Sequence, residues 1–166
     1  MRSSNRRPGG NPGYLKLITV KSQGVTALST FPAFLIAASA AILMFLGLAH
    51  LLFTFYGPKM LPRDRDLIAR MQETNLVLTS ETTMWKAWVG FNASHSLGVI
   101  LFGAVYGYLS LAHSAFLFQS TYLLSLGLLM LLVYVFLAKR YWFSIPFRGI
   151  FLATAFYTLA LVINCI

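Results

Sequence analysis

Along the chain, apolar positions gather into four long runs: Phe31 to Tyr56, Trp88 to Leu111, Ala115 to Ala138 and Gly149 to Ile166. Crossing the roughly 30 Å of bilayer hydrocarbon takes about 20 residues of helix, and each run approaches or exceeds that length. With their interfacial flanks the spans are placed at 31–56, 85–111, 115–138 and 147–165. The pattern predicts an all-α fold, an integral membrane bundle of four transmembrane helices forming one domain over 31–166.

The polar intervals complete the outline. Residues 1–30 are rich in Gly, Pro, Ser and Asn and carry Arg2, Arg6, Arg7, Lys16 and Lys21, which predicts a disordered basic tail. The loop 57–84 holds all four acids, Asp64, Asp66, Glu73 and Glu81. A helix starting near Pro62 fits there, with Asp66 and Arg70 paired one turn apart and Leu67, Ile68 and Met71 forming an apolar side. Because each acid has a basic neighbour and no calcium-loop spacing appears, this is read as a solvated amphipathic helix. Only a few residues around Leu111 to Ser114 separate spans two and three, which predicts an antiparallel hairpin. The last connection, Lys139 to Arg148, mixes cations with Tyr141, Trp142 and Phe143 as an interfacial anchor does, and places Pro146 just before the fourth helix.

Composition excludes several classes. The chain is 58% hydrophobic and 10% charged, too little charge to cover a soluble domain of 166 residues. Its formal net charge of +9 would suggest nucleic acid in a soluble protein. Here it fits the lipid bilayer, with anionic lipid headgroups against basic loops, and no nucleic acid. Arg6 and Arg7 are followed by a Pro- and Gly-rich run, not the apolar core of an export signal. Cys165 stands alone, so no intrachain disulfide forms. Eight Lys or Arg flank the two long loops against five in the tail, which favours the loops on the cytoplasmic side.

Chemistry concentrates in one layer. His50 lies about six residues from the end of the first span and His95 about seven from the start of the second, so both sit roughly 9–11 Å below the same face. Thr154 is about as deep in the fourth. A rotation of 100° per residue puts Trp88, Asn92, His95 and Ser96 along one side of the second helix, and His50 shares a side of the first with Gly47 and Thr54. A histidine in hydrocarbon requires partners, and His50, Asn92 and Ser96 are placed to supply them to His95. Thr154 and Tyr157 complete the candidate cluster from the fourth helix. A second side, Gly90, Ser94 and Gly98, and the pair Gly103 and Gly107, have the spacing that lets helices pack closely, against each other, another membrane subunit or a homo-oligomer partner. His113, eighteen residues beyond His95, belongs to the opposite interface.

Three uses of the layer stay open. The first is an accessory or scaffold subunit, or a binder of a small apolar or amphipathic ligand at His50, Asn92 and His95. The second is a membrane-embedded enzyme on a lipid-like substrate with histidine as acid or base, its catalytic residues unassigned. The third is a b-type haem protein with His50 and His95 as ligands. No carboxylate or thiolate lies at that depth to complete a zinc site, and the spans carry no central charge for ion-coupled transport.

The run Leu48 to Leu67 followed by Thr82 to Leu109, with W-x-G-F-N-x-S-H-S-L-G as its most specific part, resembles a group of small, uncharacterised bacterial four-span membrane proteins. The resemblance implies a bacterial inner-membrane location and four helices, and brings no substrate, cofactor or partner with it.

Overall fold

The computed structural model describes residues 12–165, with side chains from Thr30 onward. It is all-α, with six helices in order: α1 Pro12–Phe55, α2 Arg65–Glu73, α3 Met84–Ala112, α4 Ser114–Gln119, α5 Thr121–Tyr141 and α6 Ser144–Cys165. Four of these are long and apolar enough to cross a membrane: Thr30–Phe55 within α1, then α3, α5 and α6. The outer surface agrees with such a setting. Phe45 and Phe91 are 70% and 75% exposed among many other large apolar side chains, a surface suited to lipid tails and costly in water.

The predicted tail differs in part. Residues 1–11 lie outside the described residues, whereas the backbone from Pro12 is already helical and runs unbroken into the first span. Pro12 opens α1 where its missing N–H costs nothing, and Pro32 lies inside the helix, where it removes one backbone donor. The far end of α1 stops at Phe55, and Gly57 follows at φ +83°, the left-handed conformation that glycine adopts freely after a helix.

In the loop, the helix begins at Arg65, three residues later than Pro62, because Asp64 caps it by accepting from the Asp66 and Leu67 amides at 2.9 and 3.4 Å. The expected Asp66–Arg70 pair gives way to Arg70–Asp64 at 3.8 Å between exposed side chains. Beyond α2, an isolated antiparallel bridge joins Asn75 to Thr83, and the Met84 amide donates to the Thr74 carbonyl at 2.8 Å. The loop is thereby tied down where α3 starts, and α2 rests on α3.

The third span starts at Thr121, later than the expected 115, because the connection from α3 contains the short helix α4. Leu117 on α4 is fully buried, so this turn folds into the end of the bundle. Ser120, extended between α4 and α5, ends one helix and caps the next by accepting from the Leu123 amide at 3.3 Å. Nor is the α3–α5 pair a closely packed hairpin: α5 packs its backbone on α6, and meets α3 through side chains. Pro146 lies inside the first turn of α6.

Helix α1 is the hub, packed against α3 most extensively and against α6 next. Glycines set how close these approaches are. A Cβ at Gly103 would stand 2.7 Å from Met44 Cβ and 2.8 Å from the Ala40 carbonyl, and one at Gly47 would stand 2.9 Å from Ile100. Gly107 faces Ala40 more loosely, at 3.7 Å. The GxxxG pair thus serves the α1–α3 contact. The core runs through Ile36, Leu43, Val99, Phe102, Leu131 and Tyr157.

Candidate functional site

The α1–α3 contact brings His50 and Asn92 into register, and His50 Nε2 lies 3.1 Å from Asn92 Oδ1. Asn92 uses its other end on its own helix, donating from Nδ2 to the Trp88 carbonyl at 2.8 Å. With its oxygen turned toward α1, Asn92 accepts from an Nε2–H on His50, which fixes that tautomer. Thr54 donates to the His50 carbonyl at 2.8 Å.

His95, one turn further along α3, stands edge-on to His50 with ring centroids 5.5 Å apart and an interplanar angle of 88°. Two more rings reach it from α5 and its C-terminal end. Trp142 lies 4.9 Å away at 70° and Tyr134 5.8 Å away at 75°, and the two are 6.5 Å from each other. Trp142 is positioned by its own backbone: extended at φ −110°, ψ 175°, it ends α5 while its amide donates to Ala138. One imidazole is therefore bordered by three rings from three places in the fold.

The sequence-derived cluster is only partly assembled. His50, Asn92 and His95 come together, but His50 bonds to Asn92 and not to His95. Ser96, read as a partner of His95, points into the helix contact, fully buried, and donates to the Asn92 carbonyl at 2.8 Å. Position 96 lies 100° round the helix from 95, which carries it to the α1 side. Thr154 is buried and donates to the Ile150 carbonyl on its own helix at 2.8 Å. The Trp88 ring stacks on Trp85 at 5.5 Å, leaving only its carbonyl in the network.

Tyr157 belongs to a different cluster. It donates to the Leu124 carbonyl at 3.1 Å and lies edge-on to Tyr106, which donates to the Leu123 carbonyl at 2.7 Å. Both carbonyls are in the first turn of α5, at the end opposite Trp142. Gly127 clears space there, since a Cβ would run into the Tyr157 hydroxyl and the Tyr106 ring. His113 stands just before α4 at that same end, exposed, with its Nε2 3.0 Å from the Tyr108 hydroxyl.

Tyr134 was the residue sequence reasoning missed, and Trp142 had been read only as an interfacial anchor. Their place in the chain carried a signal: both lie toward the end of the third span, at the membrane face where His95 sits. On the second side of α3, Gly90 has no atom within 4 Å of a would-be Cβ, Gly98 meets only the Tyr134 hydroxyl at 3.8 Å, and Ser94 is exposed. This side faces outward.

The layer does not suit haem. His50 Nε2 is engaged by Asn92, and two rings in edge-to-face contact leave no gap for a macrocycle between them. Among the described residues no three His, Cys, Asp or Glu side chains converge on a point. A cavity of about 90 Å³ does open in the bundle, but at the opposite end, lined by Thr30, Ala33, Phe34, Ser110, Leu111 and Ser114.

Compared with protein-family models, with curated proteins and with solved structures, the chain matches none of them.

Proposed function

We propose that this chain is a binding or accessory subunit of the bacterial cytoplasmic membrane that holds a small apolar or amphipathic ligand against the His50, Asn92 and His95 layer. The observation that carries this reading is the bond between His50 and Asn92, which commits one histidine to joining α1 and α3 while leaving the second among aromatic rings. Neutral rings and amides bind uncharged molecules and supply no charge for ion coupling. An acid–base enzyme built on His95 has less support, since no carboxylate among the described residues contacts the ring to stabilise an imidazolium.

In this reading the basic loops meet anionic headgroups, and a second subunit or a second copy fits along the outward Gly90 and Ser94 side. The test is mild-detergent extraction of the full chain, followed by mass and absorption analysis of what stays bound. A small molecule retained above the lipid background, and lost from His95→Ala at unchanged elution volume and melting temperature, supports binding. Equal retention by the two proteins, or nothing above background, overturns it.

A further inference from the structure

At the α3–α5 seam the ring nitrogens of His95 and the hydroxyl of Tyr134 have no hydrogen-bond partner among the described residues, and neither has the Trp142 indole N–H beside them. The amide and hydroxyl side chains of the neighbouring layer are satisfied. Asn92, Ser96, Thr54 and Thr154 all bond, three of them only to backbone carbonyls of their own helices. His95 and Tyr134 differ because each meets its neighbours through ring edges and faces, which uses carbon and leaves the heteroatoms free. Polar groups at membrane depth left unbonded cost free energy that a ligand recovers by bonding them.

The two groups lie together. Their ring centroids are 5.8 Å apart, and the Tyr134 hydroxyl is directed at Gly98, one turn beyond His95 on α3. Gly98 is exposed and has no side chain, so the space beside that hydroxyl opens outward from the bundle instead of into its core. Because the backbone of α5 packs on α6 and not closely on α3, the α3–α5 seam is the looser of its two contacts, on the side that Gly98 exposes.

The geometry points to a lateral site between α3 and α5 that takes the uncharged carbonyl oxygen of a membrane-dissolved amphiphile, bonded by the Tyr134 hydroxyl and the protonated nitrogen of His95. This inference rests on the binding reading above and narrows it to a chemistry and a place. Both groups can donate as neutral species, and a carbonyl oxygen, with two lone pairs and no hydrogen of its own, accepts from both at once. Among the described residues no cation lines the contact to select an anion: Lys139 and Arg140, in the last turn of α5, are exposed. The indole of Trp142, half-buried against His95, supplies a flat apolar wall. Two sources carry such an oxygen in a membrane: the ring carbonyl of a quinone and the acyl ester of a lipid. Trp142, ending α5 beside its terminal cations, sets the site near the hydrocarbon boundary, which both reach.

Trp142 also provides the readout. The full-length protein with Trp85→Phe and Trp88→Phe, leaving Trp142 as the sole indole, is placed in nanodiscs of diether phosphatidylcholine, which has no ester carbonyl. Decyl-benzoquinone is titrated while Trp142 fluorescence is recorded. Saturable quenching is expected, with the midpoint raised about five- to tenfold by Tyr134→Phe, the effect of one hydrogen bond. His95→Ala should raise it at least as much, and Gly98→Leu, which puts a side chain against the Tyr134 hydroxyl and fills the seam, should abolish saturation. Repeating the titration with diester phosphatidylcholine present assigns the source: an unchanged midpoint identifies the quinone ring, and competition identifies the ester as the stronger occupant. Quenching that rises linearly and equally in all variants overturns the site. A retained small molecule in the extraction experiment, together with linear quenching here, overturns the carbonyl assignment while leaving the binding reading in place.

Discussion

Single side chains in this bundle act chiefly through how closely they let helices approach. Gly103→Ala would push a methyl against Met44 Cβ and the Ala40 carbonyl, and since backbone cannot move aside cheaply, a loss of about 1–3 kcal/mol is expected. Gly90→Ala, on the open side of the same helix, should change stability by less than about 0.5 kcal/mol. Unfolding in mixed micelles measures both, and equal effects would mean that α1 and α3 are not packed through Gly103. Asn92→Ala removes the one side-chain bond between α1 and α3 in the layer and should cost about 0.6–2 kcal/mol by the same assay. Ser39 gives the opposite test. Its hydroxyl is fully buried without a partner among the described residues, so Ser39→Ala should leave stability unchanged or raise it by up to about 1 kcal/mol. At this scale helical geometry placed His50 and His95 at a common depth, but it did not tell which groups bond. Asn92 and His95 differ by less than one turn, and only the rotation of α3 against α1 gives the His50 nitrogen to Asn92.

Among the elements, α2 holds its place through its ends more than through its face. It buries no residue completely, its ion pair joins two exposed groups worth about 0–1 kcal/mol, and its first turn depends on Asp64. Asp64→Ala should therefore cost α2 about 1 kcal/mol and speed amide exchange across 65–73, while the melting of the four long helices stays unchanged. A fall in that melting would show α2 to be part of the bundle. Boundaries carried by special chemistry, such as the Asp64 cap and the aromatic and basic end of α5, were legible in residue type. The start of α5 was not. Residues 115–118 are as apolar as a span, and what turns them into α4 is the burial of Leu117 against the bundle end, a tertiary contact with no local signature.

For the whole molecule, four crossings place the loops 57–83 and 142–143 on one side and α4 with the C-terminus on the other. The cation excess flanking the loops predicts that a reporter fused after residue 75 reads as cytoplasmic and one at the C-terminus as external. A loop fusion read as external would reverse the orientation, and two fusions on one side would remove a crossing. Apolar length alone determined the all-α fold and the number of spans, because a helix must satisfy its own backbone to cross hydrocarbon. Depth along each helix followed too, since rise per residue is constant. Neighbour relations did not follow. With lipid outside and apolar side chains inside, nearly every face of a span is hydrophobic, so no amphipathic stripe announces which helix lies beside which. Packing at Gly47, Gly103 and Gly149 made α1 the hub. That choice left α5 to meet α3 through side chains, Tyr134, Trp142 and Tyr106 among them, and so put His95 among rings with its nitrogens free.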